Sequence, residues 1–545
     1  MVPLKARKWI GFRSTVPGIA FIFSITVCFL ISLPLSASTY YVSKSLGSDS
    51  NTPTQAQSQS TPWAHLPNSC NQTCGPTYTP VAGDVFILRG GDTWVASDLQ
   101  IGWFYNGSSS NCNTGGESTS PTSTSCTYIG VNSSFYNSEV CGSSWCRPIF
   151  NGGGTLGGTE FIYMGCKYCV IDNVEMTGLF DNAGDGGEYV YTDQEDVEVK
   201  NGYFHGWSHG SSTTSIPATV FSCNPSADNC VGVTFHNNVV DGSDTSEDMM
   251  RVMLGGAVYR FNDNYIQYVE SGLDTVNAFA VYENTLQIPV YNADGSHCNG
   301  FSTNHWSTNS TLMFNNVLAN TTSKATGCVK FWFGQTDGAA SYADYYFNNV
   351  TYILDAGNVI DVTPSAGTGS SWGTETWFNN SLECGSTSAG FVDCTYGATG
   401  GHPYTGDFYS NFSITSSTST ICGPATCPNE TNERLYTSVS GATNYNGEGA
   451  SYPFSPANSS AAGIGQGTNH TPICTTISGI DSIAGTACQS DTTFGVSYDT
   501  SNHTVSVGRT ANLRPSTGNW DVGAYQYNAG DPAPNPPSGL SAAVQ

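Results

Sequence analysis

The apolar and polar positions of this chain repeat in one short pattern between Val170 and about Phe412. In each copy an aromatic or aliphatic residue precedes one or two polar residues, usually Asn, and another apolar residue generally follows. The gaps between aligned asparagines run from 20 to 37 residues, at Asn173, Asn201, Asn238, Asn264, Asn284, Asn316, Asn349, Asn380 and Asn411. Repeats of this length predict a solenoid, because each unit buries its apolar side only against its neighbours.

The units contain short β-type runs such as Val231–Phe235 and Thr311–Phe314, and no long stripe of helical period. Asn tolerates left-handed backbone angles, and its amide can bond its counterpart about 4.8 Å away in the next layer. The sequence therefore predicts an all-β parallel β-helix with an internal asparagine ladder. The longer gaps predict loops that leave the coil, where functional residues usually lie.

The first 38 residues have the layout of a secretory signal peptide. Four basic residues precede the apolar run Gly18–Leu35, and the small residues Ser36, Ala37 and Ser38 follow. We expect export, with the protein secreted or at the cell surface. The alternative is a retained membrane anchor.

The net charge of the chain limits the classes of molecule that it can bind. The formal net charge is −26 and only 16 residues are Lys or Arg, which excludes the basic surface expected of a nucleic-acid-binding protein. Aromatic residues make up 12% of the chain, so low charge density does not indicate disorder. We expect a monomer that binds a polysaccharide and, after signal removal, no membrane.

Eighteen of the 19 cysteines follow the predicted signal, and an even number in an exported chain favours disulfides. Their spacing suggests local loops and one bridge between adjacent layers. For Cys166 and Cys169 a redox or metal site is the alternative. The expected pairs are Cys70/Cys74, Cys112/Cys126, Cys141/Cys146, Cys166/Cys169, Cys223/Cys230, Cys298/Cys328, Cys384/Cys394, Cys422/Cys427 and Cys474/Cys488.

Both ends of the chain resemble a known family. The segments Thr39–Ser43, Thr61–Leu66 and Gly83–Gly91, with Trp520–Tyr527 near the end, are similar to those of bacterial secreted right-handed β-helix proteins of the pectin-lyase-like superfamily. The resemblance covers residues 39–528 and implies a right-handed β-helix, whereas the superfamily's activities are diverse.

From this resemblance and the composition we predict an N-terminal cap over about 39–100, regular coils over about 165–412 and irregular coils with a cap over 413–528. Pro62, Trp63 and Leu66 favour a short capping helix. A Pro-rich linker and tail follow over 529–545.

Three carboxylates are candidates for catalysis. Asp248, Asp274 and Asp294 each lie ten residues after an aligned asparagine, in three successive units. Carboxylates stacked at about 4.8 Å cannot all stay ionised without a cation or a raised pKa. We expect an acidic catalytic cluster, joined by His297, or a calcium site formed by Asp244, Asp248 and Asp274. The alternative is a set of solvated loop acids.

Two chemistries fit such a cluster. Glycoside hydrolysis needs a protonated acid and a carboxylate, whereas elimination from a uronic acid needs a base and a neutralising cation, often with calcium. Candidate cations include Arg251, Arg260, Lys324 and Lys330, and their scarcity favours hydrolysis. Expected substrate contacts are Glu247, Arg251, Asn299, Lys330 and Trp332. The chain lacks the Asn-Thr-Asp, Asp-Asp and Gly-His-Gly triplets of polygalacturonases, and a non-catalytic binding protein is the remaining alternative.

Overall fold

The computed structural model describes much of the chain after residue 37, and the described residues fall within one compact unit, Ala37–Gln545. The described ranges are 38–81, 83–104, 127–156, 159–181, 187–209, 218–223, 232–244, 250–255, 257–287, 300–304, 310–319, 331–334, 343–352, 360–363, 375–384, 395–397, 405–415 and 426–528. Apart from Ser38, the residues of the predicted signal peptide lie outside these ranges, and so do those of the predicted tail. The membrane-anchor alternative concerns the same N-terminal residues.

The chain winds through three parallel sheets in a fixed order, first to second to third, which confirms the predicted right-handed parallel β-helix. Strand Ser271–Tyr282 continues from the third sheet into the first. The first sheet contains Thr39–Val42, Asp84–Gly90, Thr127–Tyr136, Cys169–Asp172, Glu198–Lys200, Val233–His236, Ala257–Asn262, Leu312–Phe314, Asp344–Phe347, Glu375–Phe378, Thr405–Tyr409 and Thr426–Thr431.

The other two sheets have similarly short strands. The second contains Thr93–Val95, Ile149–Leu156, Glu175–Asp181, Tyr203–His205, Val239–Asp241, Tyr265–Gln267, Thr285–Gln287, Val317–Ala319, Val350–Tyr352, Ser381–Glu383, Phe412–Ile414 and Arg434–Tyr436, with Ser208–His209 paired to Glu175–Asp181. The third contains Ile101–Phe104, Glu160–Gly165, Glu188–Thr192, Ala218–Cys223, Met250–Leu254, Phe301–Asn304, Phe331–Gly334, Ile360–Thr363 and Thr395–Gly397.

The predicted asparagine ladder forms at the corner between the first and second sheets. From Asn238 to Asn411, each buried amide Nδ2 donates to the Oδ1 of the next asparagine over 2.9–3.2 Å. Each Nδ2 also donates to a backbone carbonyl of the preceding coil, as Asn264 does to Phe235. The ladder ends at Glu433, whose Oε1 accepts from Asn411 in place of another amide.

The residue before each ladder position has a positive φ, and this corrects the alignment of the first two repeats. Asn173 and Asn201 have φ angles of 62° and 54° and therefore occupy the left-handed position. Gly202, not Asn201, donates its N–H to Asn238 Oδ1. We call the outward-facing set of left-handed residues the corner column: Asn173, Asn201, Asn237, Asp263, Glu283, Asn315, Asn348, Asn379 and Ser410.

The N-terminal cap contains short helices α1 (Pro53–Ala56) and α2 (Ser69–Gln72), but the helix expected around Pro62 is wrong. Trp63 instead pairs with Val42, and its backbone N–H donates to Tyr41. The backbone of Trp63 is thus used by the first strand, and its buried ring stacks on Tyr40 over the first coil. A third short helix, α3, spans Ser138–Cys141.

The residues after Tyr436 form a C-terminal segment that packs on the outside of the coil. Helices α4 (Thr471–Ile480) and α5 (Ser482–Cys488) cover outward aromatic residues of the first sheet, including Phe314 and Phe347. Phe454, Phe494 and Val522 cover the second. The segment crosses the corner at Gly495, where a Cβ atom would lie 2.3 Å from Thr285 Oγ1, and an antiparallel hairpin, Val496–Asp499 with Thr504–Val507, follows.

Four of the expected disulfides form in the described residues: Cys70–Cys74, Cys141–Cys146, Cys166–Cys169 and Cys474–Cys488. Cys223 and Cys384 are also disulfide-bonded. Cys112, Cys126, Cys230, Cys298, Cys328, Cys394 and Cys422 lie outside the described residues, as does the side chain of Cys427. None of the helices in the described ranges combines the length and apolar character needed to cross a bilayer.

Candidate functional site

The third sheet carries a column of paired strand positions, several of which expose potential ligand-binding residues. Val190, Met253 and Leu273 are buried, whereas the residues that follow them, Tyr191, Leu254 and Asp274, are partly exposed. We call the strand positions that pair in register with these three exposed residues the third-sheet column. Its members are in register from strand to strand: Tyr163, Tyr191, Ser222, Leu254, Asp274, Ser302, Trp332, Asp361 and Tyr396.

Aromatic and charged side chains are accessible along this column. The rings of Tyr163 and Tyr191 lie 5.5 Å apart, and both residues are partly exposed. Arg251 NH1 lies 3.3 Å from Asp274 Oδ2, and the Asp274 side chain is 35% exposed. In contrast, Phe314 and Phe347 on the first sheet and Val317 on the second are fully buried under the C-terminal segment. The column therefore presents flat rings and an ion pair to solvent.

The structure brings together some of the residues predicted from the sequence. Asp274 contacts Arg251, and Trp332 is placed two strands beyond Asp274 in the same column. The other predicted catalytic and substrate-binding residues precede third-sheet strands in the sequence but lie outside the described residues: Glu247, Asp248, Asp294, His297, Asn299 and Lys330. Lys324 lies outside them too. Arg260 is buried in an ion pair with Asp481 at 2.6 Å, so it is not available to a substrate.

Asp244, proposed for the calcium site, lies beside the second sheet and pairs with His205. His205 Nδ1 is 2.6 Å from Asp244 Oδ2, and Nε2 is 3.2 Å from Glu175 Oε1. Burial lowers the pKa of His205, but the hydrogen bonds to both carboxylates outweigh it and raise the pKa to about 9. At neutral pH this group is an imidazolium clamped between two acids, not a free general base.

Sequence reasoning missed this arrangement because its members are 30 and 39 residues apart. Each spacing corresponds to about one coil, one before His205 and one after it. Without knowledge of the strand register, such spacings do not indicate which side chains meet. His205 ends strand Tyr203–His205, and Gly206 follows with a φ of 66°.

A stacked carboxyl pair exists at a different position from the one expected. Asp263 and Glu283 are consecutive members of the corner column and directly follow the paired residues Asn262 and Tyr282. Burial and the nearby charge of Glu283 raise the pKa of Asp263 to about 8, so the pair retains a proton at neutral pH. The raised pKa predicted for stacked carboxylates thus occurs one residue before the ladder asparagines, rather than ten residues after them.

Beside this pair is an open cavity of about 430 Å³ between the corner column and α5. Glu283 and Asn315 form one wall, and Ile483 and Thr486 of α5 form another. Glu283 Oε1 accepts from Thr493 Oγ1 at 3.3 Å, which connects the coil to the C-terminal segment.

His65 also lies close to the sulfur atoms of Cys70 and Cys74. Those sulfurs form a disulfide, so they offer no thiolate to a metal. His65 instead contacts Asp49 at 2.6 Å and Asp98 at 3.3 Å within the N-terminal cap.

Comparison with known proteins gives structural matches only. No family model matches the chain, and no curated protein matches it significantly. The crystal structure of GH136 lacto-N-biosidase from Eubacterium ramulus is 11% identical with a TM-score of 0.37, over 73% of this chain and 68% of that one. The crystal structure of pectate lyase Pel9A is 13% identical with a TM-score of 0.36, over 91% of this chain and 98% of that one. These values leave any activity to be argued from the residues of this chain.

Proposed function

We propose that this protein is a carbohydrate-active β-helix enzyme that hydrolyses a polysaccharide bound along the third-sheet column. The observation that carries the proposal is that this column exposes the Tyr163 and Tyr191 rings near one end and the Arg251–Asp274 pair near its middle. Aromatic faces stack on sugar rings, and a row of in-register strands offers repeated contacts to a repeating polymer.

In this proposal Asp274 is one of the two carboxyl groups that glycoside hydrolysis requires, and Asp248 or Asp294 supplies the other. Arg251 orients the Asp274 carboxylate through its guanidinium group. His297 assists proton transfer, and Glu247, Asn299, Lys330 and Trp332 bind neighbouring sugar units.

A second candidate is a calcium-assisted polysaccharide lyase, with Asp244, Asp248 and Asp274 as proposed ligands. The position of Arg251 on the accessible face favours it, because a fixed cation there neutralises the carboxylate of a uronic acid. A third candidate is a binding protein without catalysis.

Export is part of the proposal. Four disulfides in the described residues are typical of a protein that folds in an oxidising compartment. An extracellular location also suits a polymeric substrate, and analysis of the culture medium and cell fractions tests it.

The deciding experiment applies the purified protein to plant and microbial polysaccharides with and without chelator. New reducing ends without unsaturated sugars support hydrolysis. Unsaturated ends that disappear with chelator support the lyase, and binding without product supports the third candidate. Asp274→Asn should abolish turnover while polysaccharide binding persists, whereas Asp499→Asn in the C-terminal hairpin should leave turnover unchanged. Full activity of Asp274→Asn would overturn the assignment of this residue.

A further inference from the structure

A second potential ligand site lies at the Asp263–Glu283 pair, on the corner between the first and second sheets. These carboxyl groups come from adjacent coils and directly follow the paired residues Asn262 and Tyr282. Two ionised carboxylates on adjacent coils repel unless a proton or a cation lies between them. A cation that displaces the retained proton would therefore be attracted by both groups.

Two buried amide oxygens beside the pair also lack a partner. Asn262 and Asn315 are each 1% exposed, and the Oδ1 atom of each accepts no hydrogen bond. Asn262 Nδ2 donates to Asp263 Oδ2 at 2.8 Å, and Asn315 Nδ2 donates to Glu283 Oε1 at 3.4 Å. Each amide thus already faces one carboxylate, and a half turn about its terminal bond would aim its oxygen at the same place.

We propose that Asp263 and Glu283 bind a divalent cation, with Asn262, Asn315 and Thr493 as additional oxygen ligands. All five groups are hard oxygen donors, and two of them carry negative charge, which is the donor chemistry of Ca²⁺. Mg²⁺ is the weaker match because it demands near-ideal octahedral geometry. The cavity between the corner column and α5 gives an ion a path to Glu283.

The position of the site indicates what the ion does. Thr493 belongs to the C-terminal segment, whereas the other four residues belong to the coil. An ion held by both parts would tie the segment to the corner that it crosses at Gly495. This site uses neither Asp274 nor Arg251, so it stands independently of the proposed hydrolysis.

The test is a titration of the chelator-treated full-length protein with CaCl₂ and, separately, MgCl₂, followed by calorimetry and thermal unfolding. We expect saturable Ca²⁺ binding, a rise in Tm and weaker binding of Mg²⁺. Asp263→Asn with Glu283→Gln should remove both the binding and the Tm rise while the protein remains folded by circular dichroism.

Asp407→Asn is the matched control, because Asp407 is another first-sheet carboxylate that accepts from an amide of the next coil, at 3.0 Å from Asn429. It should retain the Ca²⁺ response. No Ca²⁺ binding by the wild-type protein, or binding that persists in the double variant, would overturn the proposal. Loss of binding in Asp274→Asn alone would also overturn it, since the ion would then lie at the third-sheet column.

Discussion

Adjacent residues at the corner of the coil have different tasks. At each corner the left-handed residue bends the chain from the first sheet towards the second, and the next residue places its amide inside the ladder. Asn suits both positions, since it tolerates a positive φ and carries a donor and an acceptor. Asp263 and Glu283 occupy the left-handed position with acidic side chains, whereas the other members of the corner column are Asn or Ser.

Asp263→Asn should stabilise the protein in the presence of chelator. The pKa of Asp263 is raised from 3.8 to about 8 in the folded state. The folded protein therefore holds more protons than the unfolded chain between these values, and its stability falls as pH rises through them. The variant should gain on the order of 1–3 kcal/mol near the upper end of this window. Denaturant unfolding across pH checks this, and equal pH slopes for variant and wild type would refute it.

His205→Gln should instead destabilise the protein, and most strongly at acidic pH. Since the folded-state pKa is raised to about 9, the stabilisation by His205 is complete below the unfolded value near 6.5 and disappears as pH rises through the folded value. The variant should lose on the order of 2 kcal/mol at acidic pH and approach wild type above the folded pKa. A constant difference at all pH values would indicate a packing defect instead.

How far the sequence predicts individual residues depends on whether their partners recur. The amides of the ladder repeat in every coil, so their contacts are predictable from spacing. His205 meets Glu175 and Asp244 only once, across coils of unequal length. Counting ten residues forward from each ladder asparagine aligned Asp248, Asp274 and Asp294, but the length of chain over that distance varies from coil to coil. Asp263 and Glu283 each lie one residue before a ladder asparagine, and at that distance the alignment is reliable.

The asparagine ladder acts as an element because each amide serves three coils. Asn316 accepts from the backbone N–H and side chain of Asn284, and donates to Asn349 and to the Val281 carbonyl. Its loss leaves several buried groups unpaired, whereas a neighbour in the corner column mainly has to adopt a positive φ, which glycine does readily.

Asn316→Ala should therefore lower the free energy of unfolding by about 3 kcal/mol or more. Asn315→Gly, one residue earlier, should cost about 1 kcal/mol or less in chelator, because its amide makes one long contact to the coil. Equilibrium denaturation of both variants checks the contrast. Equal losses would contradict the division of tasks between the two positions.

The last rung of the ladder differs chemically from the others. Burial raises the pKa of Glu433 well above its ordinary value, so folding favours the neutral form of this carboxyl group. Its stabilising form is lost as pH rises. Glu433→Gln should remove this penalty and raise Tm at neutral pH, while exposed Glu139→Gln should leave the pH profile unchanged. Unchanged Tm at all pH values in Glu433→Gln would contradict it.

Elements outside the repeat were less predictable than those within it. Pro62, Trp63 and Leu66 have the local signature of a helix start, yet the backbone of Trp63 pairs with the first strand. Tertiary pairing overrides a short local preference when the strand edge needs a partner. The strand–corner–strand pattern succeeded because its local preference and its tertiary contacts agree.

At the scale of the whole molecule, the C-terminal segment determines which face of the coil remains accessible. It buries outward aromatic residues of the first sheet and outward aliphatic residues of the second. No pattern in the sequence predicts this covering, because the segment contacts residues more than one hundred positions away, as Val496 does at Thr285. A repeat period predicts neighbouring coils but not what packs across them.

Replacing Cys474 and Cys488 with Ala should loosen this segment without unwinding the coil. Their disulfide joins α4 to α5 and closes a 14-residue loop, for which about 3 kcal/mol is typical. Because ladder hydrogen bonds do not involve these helices, amide exchange should rise in α4 and α5 while the ladder amides stay protected. Exposure of Phe314 and Phe347 should also increase binding of a hydrophobic dye.

The matched control replaces Cys70 and Cys74, whose disulfide lies in the N-terminal cap and should leave α4 and α5 protected. If exchange in the double Cys474/Cys488 variant instead rises equally through the ladder, the segment and the coil unfold as one cooperative unit. The coil would then need the C-terminal segment on its first two sheets in order to stay folded. The accessible third sheet would depend on the same contacts.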